Sequence, residues 1–355
     1  MRDWEKEKDL EDTPKVEDFY TYMVDTGPGY FFNNTIQISQ DNERREQRQE
    51  LGCQKNAPST THTIALKREF PMNIWHSLNE IFSLYLTLDI LQMSRRPEDG
   101  RAFFQASDVP NVQLLFFDDQ PEGPYWDLWK IFTGLPIARI ADTDSLDHPQ
   151  CISNLVVPIP GNANPLWVGD WNPGFCTSSV LLKTFTERIL GHFGISNQRS
   201  RTADLTVTLI DRKGRRHLHN TTHYMDLLRA AHPGVQVTVV DFAAFSLEEQ
   251  LRIVSKTDIL VGVHGAGLTH SMFLPDHSTL VEIFPPTLKY EVYRNVAKLR
   301  GHNYFSDHAT KSPNFREGSD WHDEEVYLNE KVFVDLLDVA IKSMYHRGTH
   351  EGDVN

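Results

Sequence analysis

The chain predicts an α/β protein of two domains facing a cleft, with a parallel, doubly wound sheet in its C-terminal half. Its 355 residues exceed the roughly 250 to 300 at which one hydrophobic core stops growing, so two domains are expected. From Ser179 onward, short apolar runs alternate with amphipathic segments at the spacing of strand–helix–strand units, the mark of a parallel sheet covered by helices. With 39% hydrophobic and 24% charged residues, the chain can fill such cores, which excludes wholesale disorder.

Residues 1–60 are polar and acidic, with a mixed-charge run at 41–50, and read as an N-terminal extension. An N-terminal domain with a proline-rich connection follows over 61–178. Within it, Ile74, Leu78, Ile81, Leu84, Leu88 and Leu91 recur at helical spacing and predict a long, largely buried helix through Met93. Residues 112–117 form a short apolar run ending in Asp118-Asp119, a buried strand with carboxylates at its carboxyl edge. A short helix is expected over 124–132. Pro136, Pro149, Pro158, Pro160, Pro165 and Pro173 then punctuate the connection.

The C-terminal domain, 179–320, reads as helix 180–193, strand 205–210, helix 222–231, strand 235–240, helix 247–255, strand 259–263, helix 266–273, strand 279–284 and helix 289–299. Ser246 and Glu249 form a capping box that fixes one helix start. The remainder, 321–355, carries a helix over 326–344, free to pack back on the N-terminal domain, and a tail.

Lys and Arg number 35 against 49 Asp and Glu, a net charge of −14. That field repels polyanions and excludes a nucleic-acid-binding stripe, so an anionic ligand requires a local basic pocket. No apolar stretch approaches the roughly 18 residues of a membrane span, and residues 1–8 are charged rather than leader-like, so the chain reads as soluble as written. Cys53, Cys151 and Cys176 are too few for a disulfide scaffold and lack metal-ligand spacing.

Ligands of doubly wound sheets bind outside the carboxyl ends of the strands. After strand 259–263 comes His264-Gly265-Ala266-Gly267-Leu268-Thr269-His270, leading into a helix. Glycines let backbone approach a diphosphate, and a helix N-terminus offers amides and a positive dipole to it. The alternative is a tight turn without a ligand. This is not G-x-G-x-x-G, which weakens a nicotinamide reading. After strand 205–210, Arg212, Lys213, Arg215 and Arg216 put four cations at a neighbouring strand end, where a solvated basic loop is the competing explanation. Glu282, alone in an apolar strand, should bind something, either ribose hydroxyls or an internal ionic partner.

In the N-terminal half, Asn73, His76 and Glu80 lie at helical spacing; a His–Glu pair suits a general base, and a capped helix start with a surface ion pair is the plainer reading. Asp118, Asp119 and Asp127 are further acids. Asp142-Thr143-Asp144 matches D-x-D, a metal-binding pattern short enough to arise by chance.

Arg212, Arg216 and Asn220 form R-x-x-x-R-x-x-x-N; residues 263–270 read VHGAGLTH and 280–285 read LVEIFP. Together these resemble glycosyltransferase family 61. The resemblance extends to Asn73-Ile74-Trp75-His76, the strand ending at Asp118, Asp127-Leu128, Cys151, Cys176 and residues 182–190. It implies a GT-B fold of two Rossmann-like domains and an inverting enzyme. The donor would be a UDP-sugar, N-acetylglucosamine or xylose, and the acceptor a protein or glycan hydroxyl, with a divalent metal permitted but not required. Donor binding would fall to Arg212, Arg216, Asn220, His264, Gly265, Ala266, Gly267, Thr269, His270 and Glu282. The base would come from His76, Glu80 or Asp118 in an acceptor-side domain. The resemblance also implies a Cys151–Cys176 disulfide and a lumenal location in the endoplasmic reticulum or Golgi. Two rivals are a catalytically inactive UDP-sugar-binding protein and a metal-dependent transferase using Asp142 and Asp144.

Overall fold

The computed structural model describes Thr26 and residues 60–142, 152, 154–167, 172–174, 176–196, 204–311, 320–323, 325–346 and 351–353. The chain divides into two compact units, Met1–Met72 with His76–Asn164, and Asn73–Trp75 with Pro165–Asn355.

The first unit holds a four-stranded sheet in the order β3-β2-β1-β4, all parallel: β1 His62–Leu66, β2 Val112–Phe116, β3 Ala138–Arg139 and β4 Asn154–Val156. Its long helix is α1, Ile74–Met93, which belongs to this unit from His76 onward, and a short α2 spans Trp126–Lys130. Asn73 Oδ1 accepts from the Trp75 amide at 2.9 Å and so satisfies one free donor of the first turn. Leu78, Ile81 and Leu84 are at most 1% exposed; each such side chain removed from water stabilises by about 1.5–3 kcal/mol. In strand order, β1 and β4 mark the point where the chain's direction of travel across this sheet reverses.

The second unit holds six parallel strands: β5 Thr206–Ile210, β6 Gln236–Val240, β7 Ile259–Val263, β8 Thr279–Phe284, β9 Asn303–His308 and β10 Glu351–Asp353. They run in the order β10-β9-β8-β7-β5-β6. Helices α3 Val180–His192, α4 Thr221–Ala231, α5 Leu247–Val254, α6 Val292–Arg300 and α7 Glu330–Ser343 accompany them. The capping box opens α5 as expected: Ser246 Oγ accepts from the Glu249 amide, and Glu249 Oε2 accepts from the Ser246 amide at 2.8 Å. Residues 266–273 form a 3-10 rather than an α-helix.

The structure adds to and shifts the elements expected from sequence. The connection is shared differently, because Asn295 binds the Gly174 amide through Oδ1 at 2.6 Å and the Asn172 carbonyl through Nδ2 at 2.9 Å, tying 172–174 into the second unit. Helix α7 contributes to the second unit's core: Phe333, Leu336, Leu337 and Ala340 are fully buried with Leu228, Val281 and Phe305. Strand β9 was hidden by its polar residues, which find partners inside; Asn303 Nδ2, for example, donates to Thr279 Oγ1 and Ser343 Oγ at 3.2 Å each. Among the described residues no helix is long and apolar enough to cross a membrane.

Candidate functional site

In the second unit the strand order reverses between β5 and β7, where Ile210 pairs with Gly262, so the loops leaving these two strands emerge side by side. This is the crevice where open parallel sheets bind ligands. The β5 loop carries Arg212 and Arg216; the β7 loop carries His264 to Gly267.

Gly265 sits at the meeting point. A Cβ there would lie 2.6 Å from Arg212 Nη1 and 3.0 and 3.2 Å from Arg216 Nη1 and Nη2, and its φ of 148° with ψ of 177° is a conformation open essentially to glycine alone. Gly267 packs flat on Ile210, whose Cγ2 would be 3.3 Å from an added Cβ. The amides of Ala266 and Gly267 open the 3-10 helix and, among the described residues, donate to no protein acceptor.

The two guanidiniums are held by backbone carbonyls: Arg216 Nη1 donates to His264 O at 2.9 Å and Arg212 Nε to Arg215 O at 3.1 Å. Arg216 also lies over the Trp321 ring, 4.7 Å from its centroid. Among the described residues no carboxylate lies within ion-pair distance of either. Burial lowers Arg212, while burial and then the neighbouring Arg212 charge pull Arg216 down to about 10. Two half-buried cations side by side, with no carboxylate paired to them among the described residues, form a site short of negative charge.

His264 is 5% exposed and surrounded by rings: Phe284 at 5.6 Å, Tyr290 at 5.3 Å, Tyr293 at 5.4 Å and Trp321 at 5.5 Å between centroids. Its Nδ1 meets Glu282 Oε1 at 2.5 Å, and the other Glu282 oxygen accepts from the Tyr304 hydroxyl at 2.7 Å. Glu282 is 0% exposed, so the ribose-binding expectation is corrected: both oxygens are spent inside the protein, and the carboxylate orients His264 instead. Burial, then the Glu282 charge, raise the Tyr304 hydroxyl well above its ordinary range, keeping it a donor.

Thr269 and His270 also turn inward. Thr269 is 0% exposed, with Oγ1 3.5 Å from the Tyr293 hydroxyl. His270 is 2% exposed, with Nδ1 2.8 Å from the Gly267 carbonyl and Nε2 2.7 Å from Gln250 Oε1, and burial pushes it down to about 4. His270 braces the glycine loop through the Gly267 carbonyl, and Thr269 turns toward Tyr293. Asn220 is exposed and opens α4 in the left-handed conformation, φ 58°, which asparagine tolerates better than most side chains.

A family model described as Glycosyltransferase 61 matches residues 74–281, more than half of the chain and the span containing both loops. The chain belongs to glycosyltransferase family 61. The family-61 chain is 28% identical over 247 residues to the EGF domain-specific O-linked N-acetylglucosamine transferase of Drosophila melanogaster, covering 69% of this chain and 45% of that protein. The Rattus norvegicus protein of the same name is 28% identical over 252 residues, covering 69% and 44%. The chain thus spans under half the length of these relatives. A D-isomer specific 2-hydroxyacid dehydrogenase from Xanthobacter autotrophicus Py2 aligns over 80% of this chain and 94% of its own at 10% identity, but with a TM-score of 0.19 the likeness carries no argument.

In the first unit of the family-61 chain, the three acids and bases expected from sequence fare differently. Asp118 is 5% exposed and consumed by Arg68: Nη2 donates to Oδ1 at 2.6 Å, and Nε and the backbone amide donate to Oδ2 at 3.3 and 2.8 Å. It is a structural ion pair, and its candidacy as base is withdrawn. His76 and Glu80 both meet Glu69, which the sequence reading passed over: His76 Nδ1 lies 3.0 Å from Glu69 Oε2, and Glu80 Oε1 accepts from the Glu69 amide at 2.7 Å. Glu80 is 8% exposed, and burial, reinforced by the Glu69 and Asp118 charges, pushes it up to about 8. Asp119 is exposed, and exposed Asp127 pairs with Lys130 at 2.6 Å.

Asp142 is 62% exposed on its side chain and lies 3.7 Å from Arg139; its D-x-D partner Asp144 lies outside the described residues. Among the described residues no cluster of three or more potential ligands stands ready for a metal. Cys176 is exposed with a free thiol; Cys151, its suggested partner, lies outside the described residues.

Proposed function

We propose that the chain is the catalytic part of an inverting glycosyltransferase of the GT-B type, moving N-acetylglucosamine or xylose from a UDP-sugar to a hydroxyl. The observation that carries this is the pair of guanidiniums, Arg212 and Arg216, converging on Gly265 without a carboxylate partner among the described residues. A diphosphate supplies the missing charge, and the amides of Ala266 and Gly267 complete its coordination. In a single in-line displacement these groups stabilise the charge that builds on departing UDP, the electrostatic work a divalent ion performs in metal-dependent transferases.

Of the N-terminal groups, His76 is the base this reading favours. The Glu69 carboxylate accepts from Nδ1 and so fixes the tautomer in which Nε2 carries the lone pair for an acceptor proton. The relatives' names point to a hydroxyl on an EGF-like domain as the acceptor, and hence to a compartment of the secretory pathway.

The test is UDP-sugar hydrolysis and transfer with N-acetylglucosamine and xylose donors, in chelator and with manganese. Turnover of one donor that persists in chelator is expected, and Arg216→Ala should lose at least about a hundredfold while melting as the parent does. UDP binding with no turnover would support an inactive sugar-nucleotide binder. Activity lost in chelator and restored by manganese would support the metal-dependent mechanism.

A further inference from the structure

At the point where the order of the first sheet reverses, between β1 and β4, the structure contains a pocket lined by Leu66 and Lys67 after β1, by the segment 157–161 after β4, and by Thr26 and Glu80. Its position is the one where parallel sheets receive ligands. Gly161 lets the backbone of that segment lie against α1, since an added Cβ would be 2.9 Å from both Glu80 Cγ and the Glu80 nitrogen.

Glu80 is the polar group of interest. Oε1 is taken by the Glu69 amide, whereas Oε2 is buried and, among the described residues, has no protein partner. A buried carboxyl oxygen without a partner forfeits about 1–3 kcal/mol, so an unpaired one at a pocket wall marks where a ligand group completes the hydrogen bonding. The charges around it oppose ionisation on balance. Glu69 and Asp118 repel a carboxylate there, Arg68 is committed to Asp118, and segment 157–161 brings no titratable side chain. Lys67 lines the mouth, and His76, one turn earlier on α1, is engaged by Glu69. With its acidity shifted to about 8, Glu80 is a carboxylic acid near neutral pH and has a proton to donate.

We infer that this pocket binds one uncharged hydroxyl- or carbonyl-bearing group, held by a hydrogen bond donated from Glu80 Oε2. In the transferase reading that group belongs to the acceptor, and only the origin of the ligand rests on that reading. Glu80 is thereby a recognition group rather than a base. Its neutral form explains why an acid can stand against largely apolar walls, Leu66, Val157, Pro158, Ile159 and Pro160.

The test uses two neutral probes, N-acetylthreonine N-methylamide and methyl N-acetylglucosaminide, which separate a peptide from a sugar source. Each is titrated into the whole chain, labelled with carbon-13 at its glutamate carboxyls, at pH 6.5 and 9.5. One probe should move the Glu80 carboxyl resonance at pH 6.5 and bind about thirtyfold more weakly at pH 9.5, following loss of the donor proton. Glu80→Gln, whose amide also donates, should bind equally at both pH values, and Glu80→Ala should bind at least tenfold more weakly at pH 6.5. Binding of neither probe, preference for acetate over both, or a pH-dependent loss in Glu80→Gln equal to the parent's would overturn the inference. Wild-type UDP-sugar hydrolysis is measured in parallel. Its absence with probe binding intact sinks the transferase reading and leaves the pocket standing.

Discussion

Replacing Gly265 with alanine tests the donor site through a single methyl group. The backbone at φ 148°, ψ 177° is strained for any other residue, a cost of about 1–3 kcal/mol. The new Cβ would stand 2.6 Å from Arg212 Nη1 and about 3 Å from the Arg216 guanidinium, well inside the contact distance of about 3.5 Å, so both cations must retreat by a few tenths of an ångström to about 1 Å. A charge-assisted hydrogen bond contributes about 1.5–3 kcal/mol, and 1.4 kcal/mol is a factor of ten in affinity. Weakening one or two of them lowers UDP affinity about tenfold to a few hundredfold. Isothermal titration with UDP reads this directly, and a melting curve reports the strain as a fall of a few degrees, about 2–4 °C per kcal/mol for a domain of this size. A folded Gly265→Ala protein that binds UDP within about twofold of the parent would show that the guanidiniums do not act on the ligand where Gly265 lets them meet.

Three further outcomes follow from the same geometry. Glu282→Gln replaces the charged acceptor that orients His264 with a neutral amide oxygen and should lower UDP-sugar hydrolysis by about ten- to a hundredfold with UDP affinity little changed; an undiminished rate would show that the carboxylate's charge beside the ring is immaterial. Arg68→Ala leaves Asp118 buried without its partner and should cost about 3–5 kcal/mol in urea denaturation; a loss below about 1 kcal/mol would show the pair to be dispensable. The raised acidity range of Glu80, from 4.5 to about 8, favours the folded state fully below pH 4.5, and that contribution is lost as pH rises through 8. Glu80→Gln should therefore gain on the parent between pH 5 and 9, by at most about 5 kcal/mol, and melting curves of the two that run parallel with pH would contradict the burial argument.

The second unit was legible because its strands are continuous apolar runs and its helices carry caps: β7 and β8 begin and end where periodicity places them, and Ser246 with Glu249 marks α5 to the residue. Strand β1, His62–Leu66, escaped because five residues buried on both faces show no alternation. β9 escaped because its buried Asn303, Ser306 and Asp307 look like surface. For the site, loop order conveyed most of the information. Arginines and glycines following adjacent strands of a parallel sheet have to converge, and they do at Gly265. What spacing does not encode is which way a side chain turns. Glu282 was recognised as a carboxylate in need of a partner, but only the register of β8 beside β9, with Glu282 opposite Ser306, and the position of His264 show that the partners are internal. Thr269 and His270 share a motif with Gly265 and Gly267, yet both are buried, Thr269 toward Tyr293 and His270 between Gly267 and Gln250. Asp118 looked like a strand-end acid, and its fate depended on Arg68, fifty residues earlier and at the end of a strand the pattern did not reveal.

The most direct test is a crystal structure of the chain with UDP. The diphosphate should lie within hydrogen-bond distance, about 3 Å, of at least one of the Arg212 and Arg216 guanidiniums and of the Ala266 or Gly267 amide. A diphosphate seated elsewhere, with both arginines left in solvent, would contradict it.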